Sequence, residues 1–172
     1  MSRLRRIEHA GRYFFVTTNL LRCVPKLTAD ERTLCLECLD KSRAKHGFSL
    51  FAYGVMPDHV HLLLRPWASS LPDLMGDWKS KCAAAVANER RTRGAIWQKR
   101  YFDFILRRAS DFGDKLGYIH ENPVAAGFVE RAEDWLWSSA AFYLKKTPVL
   151  LRPEVFSVPV DPNEPLWPVP WR

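Results

Sequence analysis

Two histidines stand two residues apart in an apolar stretch of the chain, and imidazole nitrogens can bind metal ions or carry protons. Successive side chains of a strand point to opposite faces, so His59 and His61 would share one face while Val60 and Leu62 take the other. In a helix the same two imidazoles would diverge. The spacing therefore predicts a strand with two metal-competent nitrogens on one surface. Two nitrogens do not complete a metal site, and histidines on a sheet face are often only hydrogen-bonded.

A tyrosine and an asparagine lie one helical turn apart later in the sequence. Tyr118 precedes Asn122 by four residues, so their side chains can reach the same point on a helix. A phenol is a possible nucleophile and an amide oxygen a possible metal ligand. A helical tyrosine is also a common packing residue, and residue type alone leaves both interpretations open. The apolar stripe of this predicted helix consists of Phe112, Leu116 and Ile119.

The fold must bring these two pairs together, and several local patterns predict its elements. Residues 13–18 are aromatic and β-branched, which predicts a first strand. Thr28 and Glu31 form a capping box for a helix that Gly47 ends. Strands at 48–55 and 59–65 follow, joined by a short turn.

The remaining elements complete a recognisable order. Ser70 caps a second helix that ends near Gly94, a fourth strand covers 101–107, and a helix from Ser110 should end at Asn122 before Pro123. The order predicts an α+β, ferredoxin-like βαββαβ fold: an antiparallel sheet with helices on one face, plus an extra C-terminal helix. The third strand is central in this arrangement.

Length and composition indicate one domain and a tail. The 172 residues suffice for a hydrophobic core. We assign residues 1–147 to the domain and residues 148–172 to a proline-rich and tryptophan-rich tail, which is either loose or laid across the domain. Because the tail carries Trp167 and Trp171, we also expect it to fold back near the groove that holds the candidate residues and to gate access to that groove.

Other features limit the possible environment of the chain. The four cysteines are not expected to form a disulfide framework in a chain of this size, which fits a reducing cytoplasm, and Cys35 and Cys38, which lie in a helical pattern, are expected to pack in the core. No apolar run reaches the roughly 18 residues of a membrane span, and no signal core follows the basic N-terminus.

The net charge of +7 favours a polyanionic partner, nucleic acid first, over a merely solubilising surface. Backbone contacts are expected from the basic N-terminus and from the basic end of the second helix and the residues after it. Trp78 and Trp97 are candidates for base stacking, although Trp78 is in register with Leu74 and so favours core packing. The candidate contacts are Arg3, Arg5, Arg6, Lys79, Lys81, Arg90, Arg91 and Arg100.

Several phrases resemble the single-tyrosine HUH transposases, and most closely the REP-associated tyrosine transposases. The resemblance spans roughly residues 10 to 143. Its phrases are Met56-Pro57-Asp58-His59-Val60-His61, Trp97-Gln98-Lys99-Arg100-Tyr101-Phe102-Asp103, Tyr118-Ile119-His120-Glu121-Asn122-Pro123-Val124 continuing to Val129, and Trp137-Ser138-Ser139. Two departures are Ala125, where arginine is common in the family, and Arg100, where glycine is frequent.

The resemblance implies a set of roles. His59 and His61 would bind Mg²⁺ or Mn²⁺ with Asn122 as third ligand, and Tyr118 would be the nucleophile. The expected activity is nicking and joining of single-stranded DNA at hairpin-forming palindromes, through a 5′-phosphotyrosine. It also implies a bacterial cytoplasmic, nucleoid-associated enzyme without a membrane partner, acting as a monomer, with a homodimer as the alternative.

Three other functions fit the same fold in principle. The first is a non-catalytic binder or repressor of DNA hairpins. An RNA-recognition module would place aromatic residues rather than histidines on its central strands. A hydrolytic metalloenzyme would need a further carboxylate base and would release product without a protein adduct.

Overall fold

The computed structural model describes residues 12–155, 161–163 and 165–166. The first six elements follow the predicted order, and the helix after the fourth strand is longer than predicted. They are β1 (Phe14–Asn19), α1 (Ala29–His46), β2 (Phe48–Val55), β3 (His59–Pro66), α2 (Leu71–Glu89), β4 (Phe102–Ile105), α3 (Ala109–Ala125), a 3₁₀ turn (Ala132–Asp134) and α4 (Ala140–Leu144).

The four strands form one sheet in the order β2-β3-β1-β4, with every neighbouring pair antiparallel. This is the predicted ferredoxin-like arrangement, and β3 is central as expected. In the register of β1 and β3, Thr17 lies opposite His61 and Asn19 opposite His59. The histidines are therefore in the middle of the sheet.

Each face of the sheet has its own apolar core. On one face Val60, Leu62 and Leu64 pack with α1 and α2, where Trp78 is fully buried. On the other face Leu63 packs with Ile119 and the rest of the apolar stripe of α3. The alternation along β3 thus separates the histidines from the main core, as the sequence predicts.

The first helix begins and ends where its signals predict. The Glu31 amide donates to Thr28 Oγ1 at 3.3 Å, and the Thr28 amide donates to the Glu31 carboxylate at 2.8 Å. Gly47 ends the helix with φ +59°, in the left-handed region that glycine tolerates. Cys35 and Cys38 are buried, as the core-packing prediction requires.

The expectation that the helix carrying Tyr118 ends before Pro123 is wrong, because α3 continues to Ala125. Pro123 lacks the N–H that would bond to the Ile119 carbonyl, so the helix continues through a position that proline disfavours. The helix ends in a Schellman motif instead: the Phe128 amide donates to the Pro123 carbonyl at 3.0 Å, and the Gly127 amide to the Val124 carbonyl at 2.9 Å. Gly127 has φ +74°.

Two other elements are shorter than predicted. Helix α2 ends at Glu89 rather than near Gly94, because Arg91 adopts the left-handed conformation with φ +53°. Strand β4 covers only Phe102–Ile105.

Segments after α3 cover the free edge of β2. The Val55 amide donates to the Trp137 carbonyl at 2.9 Å, and the Tyr53 amide to Ser139 Oγ at 3.1 Å. Farther on, the Glu154 amide donates to the Leu50 carbonyl at 2.7 Å. The phrase containing Trp137 and Ser139 therefore has a structural role.

The described part of the tail also contacts the start of α3. The Ser110 amide donates to the Pro162 carbonyl at 2.9 Å, and the Leu166 amide donates to the Arg107 carbonyl at 3.2 Å. Trp167 and Trp171, on which the gating hypothesis depends, lie outside the described residues. None of the described helices is both long and apolar enough to span a bilayer.

Candidate active site

The two histidines of β3 face each other on the open side of the sheet. Their ring centroids are 4.7 Å apart. His61 is 3% exposed and stacks against Phe15 with 5.5 Å between ring centroids, whereas His59 lies nearer the rim. The pair thus has one buried and one accessible imidazole.

Helix α3 brings the tyrosine and the asparagine to these histidines. Asn122 Oδ1 lies 3.2 Å from His59 Nε2. The Tyr118 ring lies 5.2 Å from the His61 ring, and the tyrosine is 49% exposed. The structure therefore brings together all four residues that the sequence singles out for chemistry, and leaves the phenol accessible to a large substrate.

A glycine on β2 permits this close approach of α3. Gly54 lies opposite His61 in the sheet. A Cβ at this position would be 3.3 Å from both the carbonyl oxygen and Cγ2 of Ile119, which is the residue after Tyr118. The absence of a side chain at Gly54 therefore sets how closely the tyrosine and the asparagine approach the histidines.

Each histidine is oriented through its Nδ1 atom. Asp58 Oδ1 lies 2.7 Å from His59 Nδ1, and Thr17 Oγ1 lies 2.8 Å from His61 Nδ1. When Nδ1 donates to such an oxygen, the lone pair remains on Nε2. Both Nε2 atoms are then free to act as ligands.

His61 is held in the neutral form that binds metals. Burial lowers its pKa to about 3, with further contributions from the positive charges that His59 and Lys115 can carry. Its Nε2 atom is buried and has no hydrogen-bond partner among the described residues. Leaving a polar atom buried and unpaired is unfavourable, so this nitrogen is an evident position for a ligand.

A metal at this site would need the amide oxygen as well as the imidazoles. Within residues 12–155, 161–163 and 165–166, no three His, Cys, Asp or Glu side chains are grouped closely enough to hold an ion. Asn122 Oδ1, which lies 3.2 Å from His59 Nε2, would supply that third donor.

The expected DNA contacts are scattered, and several have partners within the fold. Lys79 donates to the carbonyls of Gln98 and Lys99, and Lys81 pairs with Asp77. Arg91 and Arg100 are exposed to solvent. Arg3, Arg5 and Arg6 lie outside the described residues.

Three sequence-based candidates for nucleic-acid contact are engaged within the fold. The guanidinium of Arg90 binds the buried carboxylate of Glu31 and is 16% exposed, so this cation serves the fold. Trp97 is 4% exposed and packs against Trp78, so neither ring is available for base stacking.

Comparison with known proteins identifies the family. Residues 14–122, more than half of the chain, match the family described as "Transposase IS200 like". The chain belongs to this transposase family. The transposase is also 28% identical over 141 residues to the REP-associated tyrosine transposase of Escherichia coli (strain K12), a match that covers 81% of this chain and 82% of that protein. A putative REP-associated tyrosine transposase of Haemophilus influenzae (strain ATCC 51907 / DSM 11121 / KW20 / Rd) is 27% identical over 150 residues, covering 81% and 85%.

A solved structure shares the fold of this transposase. It is described as a REP-associated tyrosine transposase bound to a REP hairpin, with TM-score 0.72 and 23% identity, covering 95% of this chain and 98% of that one. The family match and the two relatives confirm the prediction of a REP-associated, HUH-type tyrosine transposase, and the solved structure confirms its fold.

Sequence reasoning missed several residues that complete the site of the transposase. Thr17, which holds His61, carries no signal until the strand register is known, whereas Asp58, which holds His59, directly precedes it in the sequence. The exposed rings of Phe102 and Phe104 were also missed, although their alternation on a strand beside the site was visible in the sequence.

Proposed function

We propose that this transposase is a metal-dependent endonuclease and strand transferase for single-stranded DNA, acting at hairpin-forming repeated palindromes through a 5′-phosphotyrosine on Tyr118. The observation that carries the proposal is the meeting of four side chains from two elements. His59 and His61 come from β3, and Tyr118 and Asn122 come from α3.

The donor set fits Mg²⁺ or Mn²⁺. Two neutral imidazoles and one amide oxygen are acceptable to either ion, and Mn²⁺ is the more favourable partner for imidazole. If His59 Nδ1 donates to Asp58, the Nε2 lone pair faces a lone pair of Asn122 Oδ1 across 3.2 Å, an arrangement that a cation would relieve. The unpaired Nε2 of His61 supports the same conclusion. Bound there, the ion would polarise the scissile phosphate and stabilise its developing negative charge.

Tyr118 would then carry out the cleavage. Tyr118 Oη attacks phosphorus, the bond from phosphorus to the 3′ oxygen breaks, the phenol loses its proton and the departing oxygen gains one. The products are a 5′-phosphotyrosine and a free 3′-hydroxyl. Because the phosphodiester energy is kept in the tyrosyl link, a 3′-hydroxyl of a second strand can reverse the step and join DNA without ATP.

A single-stranded hairpin is the substrate that best suits this surface. The half-exposed Tyr118 cannot readily reach a phosphate within a relaxed duplex, whereas a single strand can be laid across a sheet face. The net charge of +7 favours a polyanion, and the structural relative is described as bound to a REP hairpin. Such an enzyme would act at the nucleoid in the bacterial cytoplasm.

We further propose that the transposase acts as a monomer, with Tyr118 working in cis. All four residues of the site belong to one chain and already contact one another. A homodimer with exchanged tyrosines is the alternative arrangement.

The proposed activity can be tested with end-labelled hairpin DNA that carries single-stranded flanks, incubated with Mn²⁺ and separated on a denaturing gel. We expect a metal-dependent covalent adduct with the wild-type protein and none with Tyr118→Phe, which should still shift the DNA on a native gel. Free cut fragments without an adduct would indicate a hydrolase. Uncut DNA with a retained shift would indicate a hairpin-binding protein, and an adduct that persists in Tyr118→Phe would refute the assignment.

A further inference from the structure

Strand β4 presents apolar side chains to solvent. Phe102 is 58% exposed and Phe104 is 39% exposed, while Asp103 and Ile105 between and after them are partly buried. A half-solvated strand ordinarily turns polar residues outward, so this pattern is inverted. Two large apolar rings exposed on one face of the same strand indicate a binding surface.

The two exposed rings lie on the same sheet face as the candidate catalytic residues. Phe104 is opposite Phe15 in the register, and Phe102 is opposite Thr17, whose hydroxyl contacts His61. The Phe102 ring is 6.4 Å from the Phe15 ring, and the Phe15 ring is 5.7 Å from the Tyr118 ring. Aromatic rings therefore run without interruption from the edge of the sheet to the proposed nucleophile.

Helix α3 leaves this half of the face open. It packs over β2 and β3, where Ile119 lies against Gly54. Among the described residues the outer rings of β4 remain accessible to solvent. We call the exposed surface formed by Phe102 and Phe104 the β4 aromatic face.

Positive charge borders the β4 aromatic face. The ammonium of Lys115 lies 5.2 Å from the centroid of the Phe104 ring and 5.9 Å from that of Tyr118. Exposed arginines stand at both ends of the strand, Arg100 before it and Arg107 after it. Flat apolar rings with cations beside them match a single-stranded nucleic acid, whose bases are flat and whose phosphates are negative.

We propose that the β4 aromatic face is a nucleobase-stacking site. Bases of the single strand adjoining the scissile phosphate would stack on Phe102 and Phe104, and Lys115 would contact the phosphate between them and Tyr118. This inference rests on the proposed function, because it assigns a path to the DNA of the same reaction. Stacking of one base on an aromatic side chain contributes about 1–3 kcal/mol, which corresponds to roughly 5- to 150-fold in affinity.

The test measures binding without cleavage, by fluorescence anisotropy of labelled hairpins in EDTA. We expect Phe104→Ala to bind a hairpin with a single-stranded flank roughly 5- to 150-fold more weakly than wild type, and a hairpin without a flank equally well. Phe104→Trp should keep the affinity for the flanked hairpin, whereas Phe104→Leu, which is apolar but not aromatic, should lose it. The same comparison applies to Phe102.

Abasic nucleotides locate the stacked base. When single flank positions are replaced one at a time, one abasic position should weaken binding to wild type and leave binding to Phe104→Ala unchanged. Equal effects of every abasic position on both proteins would overturn the proposal, as would full affinity of Phe104→Leu for the flanked hairpin. Thermal unfolding of each variant checks the fold, which truncation of an exposed ring should disturb little.

Two further measurements separate this inference from its alternatives. If sedimentation velocity shows that wild type self-associates and that Phe102→Ala and Phe104→Ala are monomers, the face is a contact between copies and the proposal fails. Adduct formation by wild type is measured separately. An adduct without any flank preference refutes the stacking site alone, whereas stacking without an adduct refutes only the proposed reaction.

Discussion

At the scale of single residues, the site depends on oxygens that hold the histidines as much as on the histidines themselves. Thr17 Oγ1 and Asp58 Oδ1 each lie within 2.8 Å of an Nδ1 atom. Such partners fix the ring orientation and the tautomer, and their loss typically weakens metal binding about 10- to 100-fold.

Replacing Thr17 should therefore raise the Mn²⁺ concentration that adduct formation requires. In Thr17→Val the ring of His61 keeps its packing and loses its hydrogen bond, so the Mn²⁺ concentration at half-maximal adduct formation should rise about 10- to 100-fold. Binding of the hairpin in EDTA should not change. The measurement is an Mn²⁺ titration of adduct formation.

The neighbouring residue provides a matched control for Thr17→Val. Thr18 is fully buried on the opposite face of β1, and its hydroxyl has no hydrogen-bond partner among the described residues. Thr18→Val makes the same chemical change and should leave the Mn²⁺ titration as it is in wild type. Coincident titrations for both variants would show that the contact of Thr17 with His61 does not support metal binding.

The sequence could predict the reactive residues but not the residues that support them. His59 and His61 are visible because strand alternation is local, and Tyr118 and Asn122 because a helical turn is local. Thr17 contacts His61 only through the pairing of two strands that are 44 residues apart. Such a contact depends on register, which no single segment determines.

At the scale of elements, the separation of α3 from the sheet sets the geometry of the site. At Gly54 the helix lies close to the strand, with the Ile119 carbonyl 3.3 Å from a hypothetical Cβ. A methyl group there would displace the turn of the helix that carries Tyr118 and Asn122 by a few tenths of an ångström. Displacements of about 1 Å can lower catalytic rates by up to about 100-fold.

Because the shift at Gly54 is only a fraction of that distance, Gly54→Ala should slow adduct formation by about three- to tenfold at saturating DNA and Mn²⁺, in protein shown by circular dichroism to be folded. Gly113→Ala is the control, because a methyl group added at Gly113 of α3 would meet no atom within 4 Å. That variant should keep the wild-type rate and raise the free energy of unfolding by up to about 1 kcal/mol. Equal rates for Gly54→Ala and Gly113→Ala would contradict this role for Gly54.

A buried ion pair connects α1 to the end of α2. Arg90 Nη2 donates to Glu31 Oε2 at 2.7 Å, and the Glu31 side chain is 2% exposed. The hydrogen bond from Arg90 lowers the pKa of Glu31 below its ordinary value of 4.5, against the opposing effect of burial. The folded protein therefore binds this proton less readily than the unfolded chain, and the stabilisation is present above pH 4.5 and lost as the pH falls.

Arg90→Ala should lower the free energy of unfolding by about 3 kcal/mol at pH 7, since it leaves a buried carboxylate without its cation. The difference from wild type should shrink at pH 3, where the carboxyl of the variant is neutral. Urea unfolding at the two pH values measures both quantities. Arg131→Ala, which breaks an exposed pair with Asp134, should change stability little at either pH, and a pH-independent loss in Arg90→Ala would argue against the ion pair as its cause.

The start of α1 could be predicted from the sequence, whereas the end of α3 and the role of Arg90 could not. The start of α1 was predictable because Thr28 and Glu31 satisfy each other within one turn. The end of α3 was missed because Pro123 disfavours a helix interior, while the Schellman bonds that complete the last turn come from Gly127 and Phe128, beyond it. The role of Arg90 depends on a partner 59 residues away, so its charge alone suggested nucleic acid.

At the scale of the whole molecule, one face of the sheet carries the main core under α1 and α2, and the other carries the site beside the smaller core under α3. The order β2-β3-β1-β4 followed from the element pattern, and it places the histidines centrally. The composition favoured a negatively charged partner. It could not show that the basic end of α2 lies with the helices on the core side of the sheet. The exposure of apolar rather than polar side chains on β4 became evident only once the structure showed which face of the strand is open to solvent.

If all residues of the site act within one chain, two inactive variants should not restore adduct formation when they are mixed. Tyr118→Phe lacks the nucleophile and His61→Ala lacks a ligand, so neither should form an adduct alone. If tyrosine acts in cis, mixing the two proteins should not restore the adduct, which a denaturing gel of the mixture measures. Restored adduct would require a tyrosine that reaches the histidines of another copy, and would favour the homodimer.

The central claim is that Tyr118 becomes linked to the 5′ phosphate of the cleaved strand. The most direct measurement uses flanked hairpins labelled at either the 5′ or the 3′ end, followed by digestion of the adduct and mass spectrometry of the nucleotide-bearing peptide. We predict that the protein retains the 3′-terminal label and releases the 5′-terminal label with a free 3′-hydroxyl, and that the modified peptide carries its nucleotide on Tyr118. Retention of the 5′-terminal label, or attachment to any other residue, would contradict the claim.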